Sequence, residues 1–277
     1  MRFSVVIPLY HSSQTLGRAI NSVMAQTFSP HEIILIADDG ADYQPFVTDT
    51  RIRLFSTQTV GAGAGFARNI GIDSATGDAI ALLDADDAFH PQRLEMLAPL
   101  VERYGAAFSG TRYIDDANGM ELPNINYVFE KECLNPTELL LSGMHTLVHL
   151  VFDPKRCPLR NDVSPAAQDT ILAAKLYDYT EQVGYSPLPL YDYYRSAGSF
   201  CRQTGAAQKF LDFIDDVLEP NSDAYAKISQ YNAFAALSRY LKVMREAEQM
   251  VIENSELSFQ ATLRMLVEQH HALWIER

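Results

Sequence analysis

Apolar and polar positions alternate in blocks along the first half of the chain. Phe3 to Leu9, Glu32 to Ala37 and Asp78 to Leu83 are short, nearly unbroken apolar runs. Such runs predict strands covered on both faces. Arg51 to Ser56 alternates basic or polar with apolar residues and reads as a shorter strand. Between the strands, Leu16, Ala19, Ile20 and Val23 keep helical spacing to about Gln26, with Ser12 and Ser13 as candidate caps. A glycine-rich stretch, 61–65, reads as a flexible loop opening a helix over 66–75, which Gly77 ends. Pro91 suits the first turn of a helix running to Tyr104. Strand and helix alternate through about the first 115 residues with short links. This predicts an α/β fold with a mainly parallel central sheet flanked by helices.

The rhythm is weaker beyond Asp115. Residues 120–131 read as a loop or hairpin, 136–142 as a short helix and 145–152 as a strand. Ser164-Pro165 opens a helix through Tyr179. Residues 185–195, rich in tyrosine and proline, return to the sheet edge. From 206 the chain reads helical. Leu237, Leu241, Met244, Ala247 and Val251 form an apolar stripe at i, i+4, i+7, i+10 and i+14. The expected division is a sheet domain over 1–205 and a C-terminal helical extension over 206–277.

Composition narrows the classes. With 22 Lys and Arg against 35 Asp and Glu, the net charge is −13, a poor match to nucleic acid or an anionic membrane surface. Cys133, Cys157 and Cys201 form neither a metal motif nor a disulfide framework, which suits a reducing compartment. No run approaches the roughly 20 apolar residues of a membrane span. A cytoplasmic protein is expected, with peripheral membrane attachment left open.

The candidate chemistry lies where two apolar runs end in acid. One closes on Asp38-Asp39-Gly40 and the other on Asp84-Ala85-Asp86-Asp87. Open parallel sheets bind ligands beyond the carboxyl ends of their strands. Asp84 and Asp86 share a face if extended, so one can meet a ribose hydroxyl and the other a hard divalent metal bridging two phosphates. The plainer alternatives are an acidic turn or helix cap at 84–87 and an Asp-Gly turn at 39–40.

These pieces, in this order, resemble glycosyltransferase family 2 with its GT-A, nucleotide-diphospho-sugar transferase fold. The resemblance is carried by Val5-Val6-Ile7-Pro8-Leu9-Tyr10, Gln26-Thr27, Glu32 to Gly40, Ala67-Arg68-Asn69-Ile70-Gly71 and Leu82 to Asp87. Ala37 and Ala41 depart from the family's pattern. The match extends to about residue 200. The resemblance implies that Pro8 and Tyr10 line the base pocket and that Asp39 binds the nucleobase. Arg68 then helps hold the nucleotide, Asp84 contacts the ribose and Asp86 coordinates Mn²⁺ or Mg²⁺. A salt bridge to a neighbouring Asp is the competing role for Arg68. In Gln168-Asp169 the family's acidic pair keeps its second member, which makes Asp169 the candidate general base. A dipole-stabilising first-turn Asp is the plainer role. After Tyr194-Arg195 the family often carries a histidine, and here Ser196-Ala197-Gly198 occupies the gap. Arg195 or Arg202 is then a candidate phosphate contact.

Other features carry less. Gly61-x-Gly63-x-Gly65 lacks dinucleotide-loop spacing, and His145 and His149 lack the Glu of a zinc motif. The tyrosines at 185, 191, 193 and 194 suit strand packing better than sugar stacking. The expected activity is metal-dependent, inverting transfer from a nucleotide-sugar, with UDP the expected nucleotide, in surface polysaccharide or glycoconjugate synthesis. The acceptor is a carbohydrate, a lipid-linked sugar or a protein. The tail offers a surface for homo-oligomerisation. Two other readings stand beside it: an inactive glycosyltransferase-like nucleotide- or sugar-binding protein, and a nucleotidyltransferase.

Overall fold

A computed structural model of the chain describes residues 1–124, 128–142, 149–161, 168–196 and 206–254, with Thr262, Met265, Leu266 and Gln269. The ten described strands form one sheet. It begins with β1 (Phe3–Leu9), β2 (Glu32–Ala37), β3 (Ile52–Ser56) and β4 (Ala79–Leu82). It continues through β5 (Ala88–Phe89), β6 (Ala106–Asp115), β7 (Glu121–Leu122), β8 (Cys133–Leu134), β9 (Val151–Phe152) and β10 (Val183–Arg195). The order is β3-β2-β1-β4-β9-β6-β10-β5, with β7 beside β6 and β8 beside β10. The long strands run parallel, and β9 inserts antiparallel between β4 and β6. The tyrosine-rich segment is not an edge. β10 pairs with β6 along its length, and β5 and β8 pair with its other side.

Side chains that alternate along the apolar strands feed two cores. Val5, Ile7 and Leu9 point to one face, where α1 (Leu16–Met24) and α3 (Arg93–Tyr104) cover them. Val6, Ile34 and Ile36 point to the other, against α2 (Ala64–Ser74). Gly71 makes that contact close, because a Cβ there would collide with Val6 and Ile36. The same core takes in α4 (Pro136–Leu141), α5 (Gln168–Leu176), α6 (Ala206–Leu218), α7 (Asp223–Ile228) and α8 (Phe234–Glu253). The stripe Leu237, Leu241, Met244 and Ala247 on α8 is buried within it.

Local signals account for most boundaries. Asn135 and Glu138 form a capping box ahead of α4, with Pro136 in its first turn. Gly105, left-handed at φ 84°, ends α3. Ser12 and Ser13 do not cap α1 through their side chains. Thr15 is the cap residue, the Ser12 carbonyl accepts from Thr15 and Leu16, and the Ser12 hydroxyl is paired with the Tyr43 hydroxyl at 3.3 Å instead. Helix α2 starts at Ala64, two residues ahead of the expected start. The start of the helix read from Ser164-Pro165 lies outside the described residues, as do His145 and Arg202. So does the stretch 197–205, at whose end the expected domain division falls. Among the described residues no helix is long and apolar enough to cross a membrane.

Candidate active site

The ends of β1, β2 and β4 build one rim. Their parallel register pairs Leu9 with Ala37 and Val6 with Leu82, so the acidic segments after β2 and β4 both leave the sheet beside the turn after β1. Asp84, Asp86 and Asp87 come together there, with one oxygen from each lying within 4.8 Å of the others. Carboxylates this close repel one another when ionised, which favours protonation or a cation between them.

The three carboxylates differ in their partners. Asp87 is buried, and both of its oxygens are taken: Oδ2 accepts from the Tyr191 hydroxyl at 2.8 Å and Oδ1 from the Tyr194 amide at 2.9 Å. Burial and its two acidic neighbours hold its carboxyl well above the usual range. Asp84 Oδ1 accepts from Arg68 at 2.7 Å. Asp86 is reachable by solvent, and no described side chain donates to its carboxylate. The surrounding protein still pushes that carboxyl up to about 6, with the charge of Asp84 adding to the effect. Asp86 and the second oxygen of Asp84 are therefore the free ligand atoms. Clustered carboxylate oxygens suit a hard divalent ion such as Mn²⁺ or Mg²⁺.

Arg68 joins this cluster to Asp169. Its side chain is 6% exposed, and besides Asp84 it lies 3.7 Å from Asp169 Oδ1. Asp169 sits in the first turn of α5, and its Oδ1 is shut off from solvent with no hydrogen bond. Burial outweighs the attraction of Arg68 and raises the carboxyl to about 6. The ion pair weighed for Arg68 from the sequence is thus present.

Asp38 and Asp39 face different partners. Asp38 is buried and accepts from the Thr57 hydroxyl at 2.7 Å and from the amides of Ala62 and Gly63 at 2.9 and 2.8 Å. The glycine-rich entry to α2 is therefore clamped rather than loose, with Gly63 at φ 97°. Asp39 accepts from the His11 amide at 2.6 Å, the Ala41 amide at 3.0 Å and the Tyr43 hydroxyl at 2.9 Å. This holds His11 in a left-handed conformation, φ 51°, directly after Tyr10. Tyr10 is 56% exposed and packs edge-on against the His11 ring, and Pro8 is half-buried at the end of β1.

Sequence reasoning missed Arg18 and Tyr191. Arg18, on α1, donates to Asp116 at 2.7 Å and to the Asp86 carbonyl at 2.5 Å, and its guanidinium lies 3.5 Å from the centre of the Tyr194 ring. A single arginine on an amphipathic helix carries no signal of this. His149 is a core residue: fully buried, and kept neutral by burial and by the charges of Arg93 and Arg68.

Chain segments similar to this one occur in the amylovoran biosynthesis glycosyltransferase AmsB of Erwinia amylovora, 37% identical over 109 residues, which is 36% of this chain and 36% of that protein. They also occur in the Escherichia coli UDP-Glc:alpha-D-GlcNAc-diphosphoundecaprenol beta-1,3-glucosyltransferase WfgD, 32% identical over 114 residues, 40% of this chain and 45% of that protein. The matches thus span less than half the length of these relatives. The crystal structure of S. aureus TarS 1–349 in complex with UDP-GlcNAc superposes with a TM-score of 0.64 at 16% identity, covering 98% of this chain and 92% of that one. The fold is of the expected GT-A type. Residues 4–148 match the family model of glycosyl transferase family 2, and the chain belongs to that family.

Proposed function

We propose that the chain transfers a sugar from a nucleotide-sugar, with UDP as the nucleotide, to an acceptor hydroxyl, in a metal-dependent reaction that inverts the anomeric centre. One observation carries this reading: Arg68 bridges Asp84 of the acidic loop and Asp169 of α5, joining a metal-compatible carboxylate cluster to a buried base. The donors and activities in the names of the relatives support the substrate class. The sheet unit to about 205 carries the reaction in this reading, and the helices from 206 are its C-terminal extension.

Each side chain then has a task. Tyr10 and Pro8 flank the base. Asp39 is the base contact in this reading, although its two oxygens already accept from the His11 and Ala41 amides and the Tyr43 hydroxyl and its side chain is 1% exposed. Asp84 and Asp86 receive the ribose and Mn²⁺ or Mg²⁺. When bound, the ion offsets charge on the diphosphate as it leaves. The site calls for such an ion because Arg18 and Arg68 are already paired with protein carboxylates. Asp169, with a carboxyl near 6, is ionised at neutral pH and is a stronger base than an ordinary aspartate. It takes the acceptor hydroxyl proton as that oxygen bonds to the anomeric carbon. The bond from that carbon to the diphosphate oxygen breaks, and the nucleoside diphosphate leaves with the electron pair. A single displacement inverts the centre. The polysaccharide and lipid-diphosphate activities in the relatives' names favour a carbohydrate or lipid-linked acceptor.

The test is Asp86→Ala, assayed for Mn²⁺-dependent hydrolysis and transfer of UDP-sugars. Loss of both, with an unchanged circular dichroism spectrum, is expected. Turnover equal to that of the unsubstituted protein would overturn the assignment, and absence of turnover in the unsubstituted protein with any nucleotide-sugar would favour a binding protein.

A further inference from the structure

Tyr191 lies beside the acidic loop. It is fully buried on β10, and its hydroxyl donates to Asp87 Oδ2 at 2.8 Å while lying 3.3 Å from the Asp84 amide, from which it accepts. One phenol thus holds two positions of the loop. The ring is fixed as well. The His149 imidazole stacks on it with centroids 3.4 Å apart and planes 15° apart, and Phe89 meets it edge-on at 5.8 Å. The Arg93 guanidinium lies 5.3 Å from the ring centre. Arg93 is itself fully buried, and no carboxylate among the described residues pairs with it. Its donors go to Ser109 Oγ at 2.6 Å and to the His149 carbonyl. Pairing of Tyr191 with Phe89 in the β10–β5 ladder sets the phenol two residues from Asp87.

We propose that Tyr191 is a positioning residue of the metal and nucleotide site, held in place by Arg93 and His149, and that Asp87 is its anchor rather than a metal ligand. This rests on the functional reading above. With both oxygens satisfied by the protein, Asp87 has little to offer an ion. It fixes the loop so that Asp86 and the free oxygen of Asp84 face the same space. A phenylalanine at 191 would fill the same volume but leave a buried carboxylate oxygen without its donor, and the loop would relax toward other donors.

Calorimetry of Mn²⁺ and UDP binding tests this. Tyr191→Phe keeps the ring contacts and is expected to weaken Mn²⁺ binding in the presence of UDP about tenfold, while UDP binding without metal changes less than about twofold. Asp87→Asn, which leaves the ring untouched but has one acceptor oxygen for the two donors of Tyr191 and the Tyr194 amide, is expected to give a similar loss, and the double variant no more than either single one. A residue that only fills the core would give wild-type Mn²⁺ affinity in Tyr191→Phe, or losses that multiply in the double variant, and either result overturns the proposal. Should Tyr191→Phe fail to fold, wild-type affinity in Asp87→Asn is sufficient to overturn it. If the unsubstituted protein binds no Mn²⁺ with UDP, the functional reading fails and this inference falls with it. If it binds and the variants match it, only the inference falls.

Discussion

Replacing Asp169 by asparagine is expected to stabilise the protein and stop transfer, both for one physical reason. Asp169 Oδ1 is sealed from solvent without a hydrogen bond, and Arg68 at 3.7 Å does not fully offset the lost hydration, so the carboxyl rises from 3.8 to about 6. Two units correspond to about 3 kcal/mol, and allowance for the 29% of the side chain that remains exposed brings this to about 2 kcal/mol. An acid whose pKa is raised on folding binds its proton more tightly in the native state. Stability therefore falls as pH climbs from about 4 to about 6, and the penalty is fully present above that range. Asparagine resembles the protonated form. The variant should melt with the parent near pH 4 and about 4–8 °C above it near pH 8, taking 2–4 °C per kcal/mol for a chain of this size. Transfer near pH 8 should drop about 10²–10⁴-fold while UDP binding persists. Thermal melts at both pH values, paired with a transfer assay, decide the matter. A melting difference that does not change with pH would refute the burial argument, and full transfer activity would remove Asp169 as the base.

Three further outcomes follow from the same geometry. At saturating metal, kcat/KM should rise with pH and level off above about 6, because the base must be ionised; a flat profile from pH 5 to 8 would count against Asp169. Arg18→Met removes the bonds to Asp116 and the Asp86 carbonyl, and should raise the Mn²⁺ concentration for half-maximal activity about tenfold, with Arg18→Lys intermediate; unchanged metal dependence would show that the loop keeps its shape without them. Gly71→Ala forces α2 away from Val6 and Ile36 and should cost about 1–3 kcal/mol, read from the denaturant midpoint; an unshifted midpoint would mean that the helix can retreat freely.

The parts of the fold that sequence reasoning found are those whose cause is local. β1, β2 and β4 are buried on both faces, so their apolar runs are unbroken and end where solvent begins. β6 escaped notice as a strand because Ala106, Ala107, Ser109 and Gly110 favour no strand. It is held by β9 and β10, one on each side, partners that lie far along the chain. β5, β7 and β8 have two residues each, too few to show a period, while β9 forms the last two residues of the strand read over 145–152.

The site divides in the same way. Residue type and position at a strand end marked both acidic clusters, yet they could not say which carboxylates the protein consumes. Asp38 is spent on a turn 24 residues away and Asp87 on Tyr191, 104 residues away. Arg18 becomes part of the site because the Asp86 carbonyl and Asp116, 68 and 98 residues on, return beside it. In a chain of net charge −13, a carboxylate becomes available to a ligand only where folding supplies it with too few donors of its own. By that measure the described rim leaves Asp86 and one oxygen of Asp84 without protein donors, and the sealed oxygen of Asp169 beside Arg68 without a hydrogen bond.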